Sequence, residues 1–212
     1  GNYPTSLWIV GQPFCERYSL RVRGDYPAPA QGSVSVSFLE HIDGITEVPA
    51  TSPAGVLLPT SPRVPVVVHG QTQGSTPTPA QPLAVRFGDT IRLEGITLTP
   101  LADGTGLTAT LFWRSTTSLS ADISVFAHLR RSPADLYLQD DSRPRDDHYP
   151  TRYWRAGELI LDSHEFRFPS DPEGPLSLYV GLYTPTARLP ALAETGVRLT
   201  NDEVVVPAWP LR

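Results

Sequence analysis

The densest run of groups able to do chemistry is Gln139-Asp140-Asp141-Ser142-Arg143-Pro144-Arg145-Asp146-Asp147-His148-Tyr149, followed at once by Tyr153 and Trp154. Carboxylates and guanidinium groups accept and donate hydrogen bonds, and the aromatic rings offer flat apolar faces. Carbohydrate recognition needs that combination: a ring under the apolar face of the sugar, and a few placed polar groups for its hydroxyls. The candidate ligand-binding residues are therefore Asp140, Asp141, Arg143, Arg145, Tyr149, Tyr153 and Trp154. Two other readings of the same residues stay open. The aspartates could ligate a hard cation such as calcium, although the two arginines neutralise them locally and the EF-hand pattern is missing. A solvated loop tied by Asp–Arg pairs is the simpler account, and no metal site is assigned. Trp154 and Tyr149 could equally be packing residues.

Catalytic signatures are missing. The chain has no GxSxG, HExxH, phosphate-binding loop or GxGxxG, and its five histidines (His41, His69, His128, His148, His164) show no metal-ligand spacing. Glycoside hydrolysis needs two carboxyl groups across a cleft, and 22 acidic residues offer many pairs without singling one out. No catalytic residue is assigned, and no cofactor is expected.

The elements that position these groups read as strands. Leu107, Ala109, Leu111 and Trp113 alternate with threonines and Phe112; Ile123, Val125, Ala127 and Leu129 alternate with Ser124, Phe126 and His128; Leu176, Leu178, Val180 and Leu182 alternate with Ser177, Tyr179, Gly181 and Tyr183. Val34, Val36 and Phe38 alternate with serines. In Ile91–Leu98 the apolar parity switches at Gly95, which predicts a bulge there. Asp103-Gly104-Thr105-Gly106 predicts a hairpin turn. Pro185 to Ala193 could hold one turn of helix at most. Many short strands with 23 prolines and 16 glycines in the turns predict an all-β fold, an antiparallel β-sandwich of the immunoglobulin or jelly-roll kind.

The chain also resembles itself. Tyr3-Pro4-Thr5-Ser6-Leu7-Trp8-Ile9-Val10-Gly11 and Tyr149-Pro150-Thr151-Arg152-Tyr153-Trp154-Arg155-Ala156-Gly157 are both YPTxxWxxG, and at the same offset Glu16 matches Asp162 and Asp25 matches Asp171. Colinear matches follow: residues 33–39 with 176–182, 48–50 with 189–191, 55–58 with 196–199, and 66–68 with 204–206. This predicts two copies of one module. Residues 1–70 match only the second half of the later copy, residues 71–82 read as a linker, and residues 83–212 read as a complete module. The uncovered face of a half-module should pack on the complete module, pair with another chain, or have lost strands upstream.

Composition narrows the class. At 40% hydrophobic and 18% charged residues the chain suits a packed core. A net charge of −5 without a basic run argues against nucleic acid as a partner. A single cysteine, Cys15, excludes an intrachain disulfide framework and reads as a small hydrophobe. No apolar run approaches the ~20 residues that span a bilayer. The lack of Met and the initial Gly suggest a piece of a longer polypeptide.

The later module has a family cadence: Phe87-Gly88-Asp89-Thr90-Ile91-Arg92-Leu93-Glu94-Gly95, Leu111-Phe112-Trp113, Val125-Phe126-Ala127-His128-Leu129, Gln139-Asp140-Asp141, Tyr149-Pro150-Thr151, Trp154, Gly157-Glu158, Leu178-Tyr179-Val180-Gly181-Leu182-Tyr183 and Arg188-Leu189-Pro190. This resembles the soluble β-rich C-terminal regions of bacterial multi-pass membrane glycosyltransferases of the protein mannosyltransferase type. The resemblance implies an extracytoplasmic setting, tethered through membrane segments that are not in this sequence. It implies no activity, since catalysis in such enzymes belongs to the membrane part. The expected function is a non-catalytic accessory domain, with carbohydrate or acceptor protein and the adjoining transmembrane domain as partners. A structural spacer or protein-interaction domain is the alternative, and a glycoside hydrolase-type enzyme is a further one.

Overall fold

The computed structural model describes residues 7–13, 15, 17–23, 28–40, 45–52, 54–58, 63–69 and 76–210. The protein is all-β. Its main body is a sandwich built from β5 (Gln81–Phe87), β6 (Ile91–Pro100), β7 (Gly106–Ser115), β8 (Ser124–Ser132), β9 (Asp135–Ser142), β10 (Leu159–Arg167), β11 (Leu176–Tyr183), β12 (Ala191–Ala193) and β13 (Val204–Trp209). One sheet has the strand order β10-β7-β6-β5-β12 and the other β13-β11-β8-β9, all pairs antiparallel.

The alternation read from the sequence sets the core. Leu107, Ala109, Leu111 and Trp113 of β7 meet Val125, Ala127 and Leu129 of β8 and Leu178, Val180 and Leu182 of β11, all fully buried. Phe87 packs edge-on against Trp113, with ring centroids 5.6 Å apart. The parity switch in β6 is a register shift between Leu93 and Gly95. The bulge returns Ile96 to the core face that Ile91 and Leu93 occupy. Only glycine fits there, because a Cβ on Gly95 would run into the Pro79 ring and the Gln81 carbonyl. The β6–β7 turn closes as expected. Gly104 has φ +71°, and Asp103 accepts from the Thr105 hydroxyl at 2.7 Å and from its backbone N–H at 3.0 Å. These two bonds, helped by Arg167, hold the Asp103 carboxyl down at about 2.

Pro185 to Ala193, allowed one helical turn at most, holds a reverse turn from Thr184 to Ala187 that leads into β12. Short 3-10 segments occur at Thr151–Tyr153 and Thr200–Asp202. Two expectations need correction. Gln81 and Pro82, read as linker, open β5; Gly70 to Ser75 lie outside the described residues. Cys15 is exposed and packs into no core.

The preceding segment holds two separate hairpin-like pairs: β1 (Ala30–Ser35) with β4 (Arg63–Val68), and β2 (Phe38–Glu40) with β3 (Thr46–Val48). Part of it packs on the sandwich. Ala30 is buried, Val67 rests on the main core, and the Gln31 N–H donates to His148 O at 2.6 Å. Of the sequence matches, Tyr3 to Ser6, Glu16 and Asp25 lie outside the described residues. Among the described residues no helix is long and apolar enough to cross a membrane.

The bulge yields a test. Gly95→Val forces either the Pro79 segment or the β5 edge outward, and overpacking of this kind costs about 1–3 kcal/mol. Urea unfolding should show a lower midpoint with an unchanged slope; an unchanged midpoint would mean the close approach at Gly95 is not a constraint.

Candidate functional site

The structure distributes the seven sequence candidates among three surroundings. Tyr149 and Trp154 are core residues, 0% and 2% exposed. Trp154 Nε1 donates to Tyr149 O at 3.0 Å. Tyr149 Oη sits 2.9 Å from Tyr153 O, 3.0 Å from Glu158 Oε2 and 3.1 Å from His69 Nδ1. Burial first, and then the Glu158 carboxylate, push its phenol pKa up. Neither ring offers a face to a ligand, which corrects the aromatic platform. The next residues of the motif are structural as well. Thr151 Oγ1 donates to Ala121 O at 2.7 Å and accepts from Ile123 N at 2.9 Å, and Gly157, with φ +79°, donates its N–H to Ser115 O at 2.7 Å. Tyr153 is half-buried beneath the Arg152 guanidinium, 4.7 Å from its ring centroid.

The charged candidates also part company. Arg143 pairs with Asp147 at 3.0 Å, which makes the stretch a loop tied by an Asp–Arg pair. Arg145, Asp146 and Asp147 have φ of 57°, 56° and 63°, an unusual left-handed run for non-glycine residues. Among the described residues no group of three or more His, Cys, Asp or Glu side chains is arranged to hold a metal ion.

A buried carboxylate holds the start of the left-handed run, beside the turn bonds from Asp147 N to Arg143 O and from His148 N to Arg145 O. β10 turns Ile160, Asp162, His164 and Phe166 inward. Asp162 Oδ1 accepts the Arg145 N–H at 2.6 Å, and Oδ2 accepts Trp113 Nε1 at 3.3 Å and His164 Nε2 at 3.2 Å. The other imidazole nitrogen, Nδ1, meets Asp140 Oδ2 on β9 at 3.1 Å. Both ring nitrogens thus face carboxylates, so both donate and the ring is an imidazolium. Burial lowers the His164 pKa, but the bonds to Asp140 and Asp162 outweigh it and raise the value to about 9. β10 and β9 are edge strands of opposite sheets, so this chain of bonds laces one side of the sandwich shut. His164 is 1% exposed, and its role is positional.

Sequence reasoning missed Asp162 and His164, although a signal was present. Ile160 and Phe166 bracket them at period two, which places both polar residues on the buried face.

Adjacent residues on β9 point oppositely, so Asp141 faces outward where Asp140 faces His164. On that outer face Asp141 Oδ1 meets His128 Nε2 at 2.8 Å, and His128 Nδ1 meets the Arg130 guanidinium at 2.7 Å. Since Arg only donates, His128 Nδ1 accepts and Nε2 carries the proton toward Asp141. Phe126 lies over Gly181, where a Cβ would collide with its ring. Arg188 caps that ring at 4.3 Å and is anchored by Asn201 O at 2.9 Å and the buried Glu203 at 3.3 Å. Phe126, His128, Asp141, Tyr183, Thr184 and Arg188 line a shallow groove of about 290 Å³. A second depression of about 490 Å³, with Tyr179, Asn201 and Glu203 in its wall, lies on the same sheet. A depression beside β5 and β6, of about 470 Å³, has no aromatic lining.

No protein-family model, curated protein or solved structure matches the chain.

The imidazolium sets a pH dependence. The His164 pKa is raised on folding above its ordinary 6.5, so its stabilisation is complete below that value and is lost as pH rises through about 9. Urea unfolding from pH 6 to 10 should show wild-type stability falling over this window. His164→Gln should remove that fall; parallel pH profiles for the two proteins would refute the assignment.

Proposed function

We propose that this chain is a non-catalytic accessory domain that recognises carbohydrate through the outer face of the β8–β9–β11 sheet. The observation that carries the reading is the groove in which the half-buried Tyr183 stands beside Asp141, His128, Thr184 and Arg188. Tyr183 supplies an apolar face, Asp141 accepts from hydroxyls and Arg188 donates, while Thr184 is held in the turn by its bonds with Ala187. His128 and Arg188 are already fixed by Asp141, Arg130, Glu203 and Asn201, so little ordering is left to do on binding. A groove this open suits a solvent-facing, polar ligand better than an enclosed apolar one. Glycan reads as the ligand class, with the second depression on the same sheet as room for a further sugar unit.

The setting follows from the sequence resemblance: outside the cytoplasmic membrane, joined to a membrane glycosyltransferase-like protein, with glycan or a glycosylated acceptor as partner. A structural spacer is the competing reading, and the burial of Tyr149 and Trp154 favours it for the YPTxxWxxG stretch.

A glycan array followed by titration calorimetry separates the two. The proposal expects binding of at least one glycan. Asp141→Asn and Tyr183→Ala should each weaken it tenfold or more, while the Asp141→Asn protein keeps the wild-type circular dichroism spectrum. No binding by the wild type across diverse sugars would leave the spacer.

A further inference from the structure

The described part of residues 7–69 repeats local geometry of the sandwich's second half. Gln12 N donates to Ile9 O at 3.1 Å beside Gly11 at φ +82°; Glu158 N donates to Arg155 O at 3.1 Å beside Gly157 at φ +79°. The second correspondence is more detailed. Ser52 N bonds Val56 O, Gly55 N bonds Ser52 O and Leu58 N bonds Ala50 O, each at 2.8 Å, with Gly55 at φ +77°. At a constant offset, Ala193 N bonds Val197 O, Gly196 N bonds Ala193 O and Leu199 N bonds Ala191 O, again each at 2.8 Å, with Gly196 at φ +84°. The isolated bridges match too: Thr51 with Leu57, and Leu192 with Arg198. β1 pairs antiparallel with β4 as β11 does with β13, though in a different register.

The surroundings of the two halves differ. In the sandwich β11 lies between β13 and β8, β12 adds to β5, and β10 adds to β7. All three of those partners come from residues 81–132. Among the described residues the one strand paired with β1 is β4, and on β1 the Gln31 N–H is already taken by His148 O. The apolar side chains tell the same story. Leu7, Ile9, Val36, Phe38, Val56 and Val64 are each more than half exposed, whereas residues 76–210 leave only Leu136, Val197 and Val205 as exposed large hydrophobics. An apolar surface of this kind beside an open strand edge is a docking surface.

We infer that the described part of residues 7–69 belongs to the second half of a sandwich with the plan of residues 76–210, and that its apolar face and the edge of β1 beyond Gln31 receive a first-half partner: a polypeptide segment with the strand pattern of β5 to β9. The repeat identifies the occupant, because it shows what covers the equivalent surface in the complete copy. The partner's counterpart of β8 adds to β1, and its counterparts of β5 to β7 cover the apolar side chains. Gln31 bonding to His148 and Val67 resting on the main core fix one end of the half-module and leave the rest open. This is independent of the carbohydrate reading.

The test supplies a first-half segment. The full chain is extended at its N-terminus by a second copy of residues 78–147, and hydrogen exchange over residues 30–68 is compared with that of the unextended chain, together with fluorescence of an apolar-surface dye. Exchange should slow at least tenfold across β1 and β4, and most dye binding should disappear. A version with Ala127→Pro in the added copy, which breaks the counterpart of β8, should restore fast exchange. Unchanged exchange and dye binding would overturn the inference, as would protection that survives the proline. A dimer of the unextended chain in which β1 and β4 are already protected would overturn it too, by making a second copy the occupant.

Discussion

A buried carboxylate must be satisfied, and much of this structure follows from how Asp162 is. With no solvent access it takes three donors: the Trp113 indole, the His164 imidazole and the Arg145 backbone N–H. Removing one partner of a buried charge pair is strongly destabilising, because the remaining charge is left uncompensated. Each bond also has a geometric consequence. Trp113 ties Asp162 to the core. His164 carries the link across to Asp140 and so to the opposite sheet. Arg145 is held at the start of a left-handed run that this chain would not adopt unaided, and that run presents Asp147 O and His148 O to Gln31. The carboxylate on β10 thus supports one of the contacts by which the earlier segment docks, beside the Tyr149–His69 bond and the packing of Val67.

The fold was legible because period-two alternation reports burial directly. The inward sets on β7, β8 and β11 and the Gly95 bulge all followed from residue parity. The candidate site was less legible, for a physical reason. A cluster in sequence is not a cluster in space when the chain is a strand: Asp140 and Asp141 are neighbours, yet one turns toward the buried His164 and the other outward. The aromatic residues misled in a related way. Tyr149 and Trp154 follow a polar loop, but Trp154 finds its partner in Tyr149 O and both rings fill the end of the sandwich. The outward groove was hidden because Phe126, Tyr183 and Arg188 are far apart in sequence and meet only through the β8–β11 pairing and the turn after β11.

The two halves of the sandwich perform different work. β5 to β8 lie inside the two sheets with β11, whereas β9, β10, β12 and β13 form the edges, and the later half contributes the Arg188–Glu203 anchor. The outer β8–β9–β11 face joins both halves, so a ligand bound there would read the completed module.

The most direct test of the central role of Asp162 is the NMR titration of the His164 imidazole in the wild type and in Asp162→Asn. The wild-type midpoint should lie near 9 and fall by roughly one pH unit or more when the carboxylate becomes an amide. A wild-type midpoint near 6.5, unmoved by the substitution, would contradict it.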